Sequence, residues 1–253
     1  MWLGAPAQAS LWSGGATTFT EETRTMNQPA FLTPAEVLEV QETYGTPVYV
    51  YDEATLEKRA REVLAFPNLF GLTARYAMKA LPNGAIVRRF TEWGLHIDAS
   101  SGYEAERAMA AGVPAGNIQL TAQELPGNLA ELVAQGMLFN ACSLRQLETY
   151  GKLFPGTDCC VRINPGLGSG HSNRTNVGGP SSSFGIWHEH VPQVLALAQE
   201  YDLHITSMHT HIGSGSEPET WVHVAEMSLA IAAKLPEVTR MSLGGGYKVA
   251  RMD

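Results

Sequence analysis

From Thr46 onward, short apolar runs alternate with longer stretches in which apolar residues return every three or four positions. The short runs predict strands over 48–51, 73–79, 96–100, 118–121, 137–142, 159–164, 204–211 and 240–243. The longer stretches predict helices over 53–66, 84–93, 103–111, 127–135, 144–154, 191–201 and 220–235. Successive strands begin roughly 20–25 residues apart, the length of a strand–helix–strand unit. Repeating that unit predicts an α/β fold, a parallel sheet faced by helices. Two architectures compete, an open doubly wound sheet and a closed (β/α)8 barrel. No Gly-x-Gly-x-x-Gly lies between the strand over 73–79 and its helix; Lys79 stands there instead, and polar residues recur at later strand ends. In a barrel all these ends converge on one face, so the expectation is a TIM-type (β/α)8 barrel. Counting from Thr73 gives about seven barrel strands, and an eighth would follow Gly246, close to the last residue, Asp253. The barrel is therefore expected to be incomplete at its C-terminus, the alternative being that the strand over 48–51 fills the gap. The expected domains are a tail and lead-in over 1–45 and a truncated barrel over 46–253.

Residues 1–25 are rich in Gly, Ala, Ser and Thr and lack the basic start and apolar stretch of a signal peptide. Met26 directly precedes sequence with a structured pattern, so Met1 and Met26 are both candidate starts. A formal net charge of −8 without a Lys/Arg cluster argues against nucleic acid as a partner. No apolar run is long enough to span a bilayer, so no membrane partner is expected. The three cysteines, Cys142, Cys159 and Cys160, are odd in number with two adjacent, which is no disulfide framework. They are expected as small buried side chains in a protein of the reducing cytoplasm.

The stretch Arg75-Tyr76-Ala77-Met78-Lys79-Ala80-Leu81-Pro82-Asn83 is the most informative. Strand alternation places Arg75, Ala77 and Lys79 on one face and Tyr76 and Met78 on the other. A charged lysine facing a barrel interior is costly unless it sits at the rim and its charge is used. A Schiff base with an aldehyde cofactor uses it; a rim lysine paired with a carboxylate is the plainer reading. His209 and His211 share a face, but two histidines need a further ligand to hold a metal, and none is offered nearby, so no metal is expected. Gly244-Gly245-Gly246 could present backbone N–H groups to an anion or could be a flexible turn. The Gly-, Ser- and Asn-rich segment 165–183, with His171 and Arg174, is long for a connection inside a domain and is expected to be a functional loop.

Tyr76-x-x-Lys79-Ala80, with Asn83 shortly after, resembles the cofactor-lysine motif of the fold type III pyridoxal-phosphate enzymes, within the ornithine/diaminopimelate decarboxylase family. The resemblance covers roughly 46–253. It implies pyridoxal 5'-phosphate held through a Schiff base on Lys79, with His211 stacked on the cofactor ring. Ser214 and Gly244, Gly245 and Gly246 would bind its phosphate. His96-Ile97-Asp98-Ala99-Ser100-Ser101-Gly102-Tyr103-Glu104 looks like the family's Asp-x-x-Ser-x-x-Glu block, which puts Asp98 near the lysine to manage its proton. Ser101 and Glu104 serve equally as helix-capping residues. Arg162-Ile163-Asn164-Pro165 is similar to the family's Arg-x-Asn-Pro segment and implies that Arg162 points into the barrel near Asp98. His171 falls in a segment that borders the active site in related decarboxylases, as part of a lid. The family's glutamate for the ring nitrogen, its β-rich second domain, and the cysteine and tyrosine that domain supplies would all fall beyond Asp253. The resemblance thus implies decarboxylation of a basic or dibasic amino acid, the diaminopimelate enzymes being most similar. The full-length protein would be a homodimer, and this chain alone inactive. Carboxynorspermidine, ornithine and arginine decarboxylases are alternatives, as is a non-catalytic pyridoxal-phosphate-binding or decoy protein. A racemase matches less well, because Ala80-Leu81-Pro82-Asn83 replaces the racemase-like Ala-Asn-Ala-Tyr-Gly.

Overall fold

The computed structural model describes residues 2–3, 31–168, 178–213 and 218–246. The chain divides into two compact units, Met1–Phe70 and Gly71–Asp253. In the first, β1 (Trp2–Leu3) pairs antiparallel with β2 (Val50–Tyr51). Helix α1 (Pro34–Tyr44) lies within the stretch expected as lead-in, and a capping box starts it. Thr33 accepts from the Glu36 N–H at 3.3 Å, while the Glu36 carboxylate accepts from the Thr33 N–H at 2.7 Å. Among its residues only Val40 is buried, so its apolar periodicity is weak, and the cap was the signal to heed. Helix α2 (Glu53–Leu64) follows, capped by Asp52.

The second unit carries β3 (Arg75–Ala77), α3 (Gly84–Glu92), β4 (His96–Ala99), α4 (Gly102–Ala110), β5 (Ile118–Leu120), α5 (Leu129–Ala134) and β6 (Leu138–Ala141). There follow α6 (Leu144–Leu153), β7 (Asp158–Asn164), β8 (Ile186–Trp187), α7 (Val191–Tyr201), β9 (His204–His209), α8 (Pro218–Ala232) and β10 (Arg240–Ser242). The sheet runs β3-β4-β5-β6-β7-β9-β10, every neighbouring pair parallel, with β8 also pairing β7. These are the seven expected strands, curled into an incomplete (β/α) barrel. β2 pairs with β1 in a separate sheet, so it does not supply an eighth barrel strand. β8, two residues long, is too short to carry a sequence pattern.

Register sorts the side chains into two faces. Ile97, Ile118, Leu120, Phe139, Val161, Ile163 and Met208 are buried within the main hydrophobic cluster, along with Val87, Ala105, Leu147 and Val194 from the helices. The opposite face is polar. Ala77, Asp98 and Gln119 are in register across β3–β5; Arg162, His209 and Ser242 are in register across β7, β9 and β10. Burying the apolar face stabilises the fold by roughly 1.5–3 kcal/mol per large aliphatic side chain. The other face is free to carry chemistry. All three cysteines are buried and unpaired, and burial pushes the Cys142 thiol up to about 11 and that of Cys159 to about 12, so neither is a ready thiolate.

Candidate active site

Lys79 does not continue β3. The strand ends at Ala77, and Met78–Ala80 form a single 3₁₀ turn, closed by the Leu81 N–H donating to the Met78 carbonyl at 3.2 Å. Met78 is fully buried in the apolar cluster and Lys79 is exposed at the C-terminal rim, on opposite sides as alternation expects. The lysine therefore avoids the cost of a buried ammonium. Residues of the same motif hold the turn. Tyr76 packs its ring on Phe90 of α3, centroids 4.6 Å apart, and its hydroxyl donates to the Leu81 carbonyl at 3.3 Å. Asn83 caps α3 by accepting from the Ala85 N–H at 3.0 Å and the Ile86 N–H at 3.4 Å. Tyrosine and asparagine thus fix the two sides of the segment that presents the amine.

Asp98 lies on the polar face of β4. Thr121, just past β5, donates to its Oδ1 at 2.6 Å. Burial pushes the Asp98 carboxyl up to about 6, with the Thr121 hydrogen bond and the charges of Arg75, Lys79 and Arg162 pulling the other way. Ser101, in the rest of that block, caps α4, and Glu104 reaches back to the residue before the cap. Ser101 accepts from the Glu104 N–H at 3.2 Å, and the Glu104 carboxylate accepts from the Ser100 N–H at 2.8 Å and its hydroxyl at 2.9 Å.

Arg162, on the same face of β7, is buried, with its guanidinium 5.2 Å from the Phe184 ring centroid. Two residues on, Asn164 closes the base of the following loop. Its amide donates to the Gly179 carbonyl at 2.9 Å while its carbonyl accepts from the N–H groups of Gly179 at 2.9 Å and Gly166 at 3.0 Å. His171 lies outside the described residues, as does Ser214.

β9 ends at His209, and the backbone alternation carries on through the next two residues. Thr210 turns toward α8, its hydroxyl 3.1 Å from that of Ser228, which leaves His209 and His211 to the polar face with ring centroids 6.3 Å apart. Burial, and then the Arg162 and Lys79 charges, push the His211 imidazole down to about 4. His209 is pushed well down by the same burial and by Arg162. Both rings are therefore uncharged near neutral pH. Gly244 follows β10 with φ +69°, and a Cβ there would stand 2.5 Å from His211 Nδ1 and 2.9 Å from the Thr210 carbonyl oxygen. Only glycine lets this backbone approach the histidine so closely. Gly246 also has positive φ, at 98°, whereas a Cβ on Gly245 would meet nothing within 4 Å.

Arg75, His96 and His209 share this face with three polar residues that went unnoticed in the sequence, Gln119, Thr121 and Asn140; of the six, His209, Asn140, Thr121 and Gln119 are buried. The signal was present: polar residues at alternate positions of otherwise apolar strands mark an interior that is not a plain hydrophobic core. Buried nitrogens and oxygens there, Arg75 Nε, Asn140 Oδ1 and His209 Nδ1, have no hydrogen-bond partner among the described residues. Such groups are expected where a polar ligand supplies the partners.

Residues 54–253 match the family model of the pyridoxal-binding domain of pyridoxal-dependent decarboxylases. The chain belongs to this decarboxylase family. It is 39% identical over 212 residues to a diaminopimelate decarboxylase of Streptomyces coelicolor, covering 81% of this chain and 47% of that protein. It is 33% identical over 227 residues to a diaminopimelate decarboxylase of Escherichia coli K12, covering 86% of this chain and 52% of the relative. A crystal structure of a diaminopimelate decarboxylase superposes with a TM-score of 0.78 at 32% identity, over 87% of this chain and 53% of that one. The chain spans about half the length of these curated relatives. Pyridoxal phosphate is the cofactor of the decarboxylase family. The residues present fit it: an exposed amine at the rim, a neutral imidazole, a backbone cradle at Gly244, and unpartnered polar atoms on the same face.

Proposed function

We propose that the protein containing this barrel removes a carboxyl group from a basic or dibasic amino acid, meso-diaminopimelate giving L-lysine being the best-supported case. The observation that carries the reading is the convergence of Lys79, Asp98, Arg162, His211 and the Gly244 cradle at the C-terminal ends of parallel strands, where barrel enzymes build their sites. The diaminopimelate decarboxylases among the relatives favour that substrate over ornithine, arginine or carboxynorspermidine. Bound pyridoxal phosphate supplies an electron-poor ring that accepts the electron pair left when the carboxylate departs.

The protein's own residues do the rest. Lys79 would offer the amine that holds the cofactor. His211, uncharged, would offer it a flat surface without adding positive charge. The backbone N–H groups at Gly244, Gly245 and Gly246, with the Ser214 hydroxyl, bind the phosphate. Arg162 supplies positive charge beside Asp98. Asp98, poised near 6, takes up or gives back a proton beside the lysine. His171 is a candidate substrate contact. The working unit is a cytoplasmic homodimer.

The absorbance spectrum with pyridoxal phosphate, recorded beside Lys79→Ala, tests the assignment. A red-shifted band in the parent that is missing from the variant is the expected result. An equal band in both would remove Lys79 from the role. Substrate-dependent carbon dioxide release from the full-length protein then ranks diaminopimelate against ornithine and arginine.

A further inference from the structure

Thr121 has no part in the roles assigned above, yet it makes the only hydrogen bond to Asp98 among the described residues. Its hydroxyl has one proton and two lone pairs. Gln119 Nε2 donates to Oγ1 at 3.4 Å and Asn140 Nδ2 donates to it at 3.2 Å, so both lone pairs face donors. The remaining group is the proton, and it goes to Asp98 Oδ1 at 2.6 Å. The opposite arrangement would turn the Asn140 carbonyl toward the hydroxyl and exchange a short bond to a carboxylate for a longer one to a neutral amide. Hydrogen bonds to charged acceptors are the stronger kind, so the observed direction wins. Gln119, Thr121 and Asn140 are all buried, which keeps water from offering another partner.

We infer that Thr121 is a positioning residue for Asp98: locked as a donor by Gln119 and Asn140, it commits Oδ1 to accepting, so the proton that Asp98 carries or surrenders sits on Oδ2. The groups bearing on this carboxyl are Arg75 from β3, Lys79 from the 3₁₀ turn, Thr121 beyond β5 and Arg162 from β7. Cys142 and Cys160 lie within electrostatic reach as well, and both thiols are pushed up by burial, so neither adds a thiolate near neutral pH. A threonine two strands from the lysine thus selects the carboxyl oxygen available for proton exchange. The consequence for turnover rests on the decarboxylase reading; the protonation geometry does not.

The test is an isotope-edited infrared titration of aspartate carboxyls in the cofactor-free protein, with the Asp98 band assigned by its loss in Asp98→Asn. Thr121→Val removes the donor while keeping the shape. It should raise the Asp98 midpoint by about one unit, a tenfold change in proton affinity. It should also raise the C=O frequency of the acid form, because Oδ1 loses its donor. Thr121→Ser keeps the hydroxyl and should restore both readings. Unfolding midpoints like the parent's confirm that the variants fold. An unmoved midpoint and frequency in Thr121→Val, or a Thr121→Ser that behaves like valine, overturns the inference. Because no cofactor is present, that failure is separate from a failure of the Lys79 spectrum.

Discussion

Asp98 shows what a single half-buried carboxyl does to the molecule. Its folded value of about 6 lies above the ordinary 3.8 because burial penalises the charged form. Between those values the folded state keeps a proton that the unfolded state has lost, so stability falls as pH rises through the window, and the whole cost is present above it. The shift corresponds to about 3 kcal/mol as an order of magnitude. Asp98→Asn should therefore be more stable than the parent at pH 8, with the advantage shrinking toward pH 4; urea unfolding at both pH values measures it. An advantage that does not change with pH would show that burial of charge is not its source. Gly244 permits a second prediction with its own control. Gly244→Ala must push His211 aside or strain the backbone, and should weaken pyridoxal phosphate binding at least tenfold, by about 1.4 kcal/mol or more. Gly245→Ala, with open space around it, should bind nearly as the parent does, and a fluorescence titration compares the two. Lys79, Asp98, Arg162 and His211 were legible in the sequence because each belongs to a short motif at a strand end. Thr121 and Asn140 were harder to find, since their meaning lies in hydrogen bonds across neighbouring strands that no linear spacing displays.

Among the elements, the barrel strands and helices were read to within a few residues because each carries a strong period. The exceptions have physical reasons. Helix α1 is nearly all exposed and is announced by its cap rather than its stripe. β8 is held by Gly185, where a Cβ would come within 3.1 Å of the Arg162 carbonyl oxygen and the Asn164 nitrogen, a tertiary constraint invisible in a two-residue strand. β3 is shorter than expected because the chain turns at Met78, and that turn presents Lys79 at the exposed rim. Helix packing is as exacting as the turns. A Cβ on Gly151 of α6 would lie 2.6 Å from Tyr201 Cγ in α7. Gly151→Ala should therefore lower stability despite alanine's better helix propensity, by about 1–3 kcal/mol, because the ring must move and the helices part. Urea unfolding would show this, and a stabilised variant would mean that Tyr201 swings away freely.

Across the whole molecule, the sheet order makes β7 the most heavily paired strand, with β6, β8 and β9 as partners, while β3 and β10 each have one partner strand in the described structure. Amide hydrogen exchange should be slowest along β7 and faster by at least about tenfold along β10, since local opening is easiest where fewest contacts must break. Uniform protection would mean that the sheet opens only as a unit. The architecture itself was legible because seven strands alternating with six helices leave few alternatives. The two-faced sheet also has an evolutionary meaning. Positions such as Ile97, Val161 and Met208 are bound only by volume and oiliness, so lineages can exchange one aliphatic for another there; their neighbours Asp98, Arg162 and His209 answer to chemistry. Drift on one side leaves the other untouched. A mutagenesis library confined to the first set would vary the packing while keeping the chemical groups of the second.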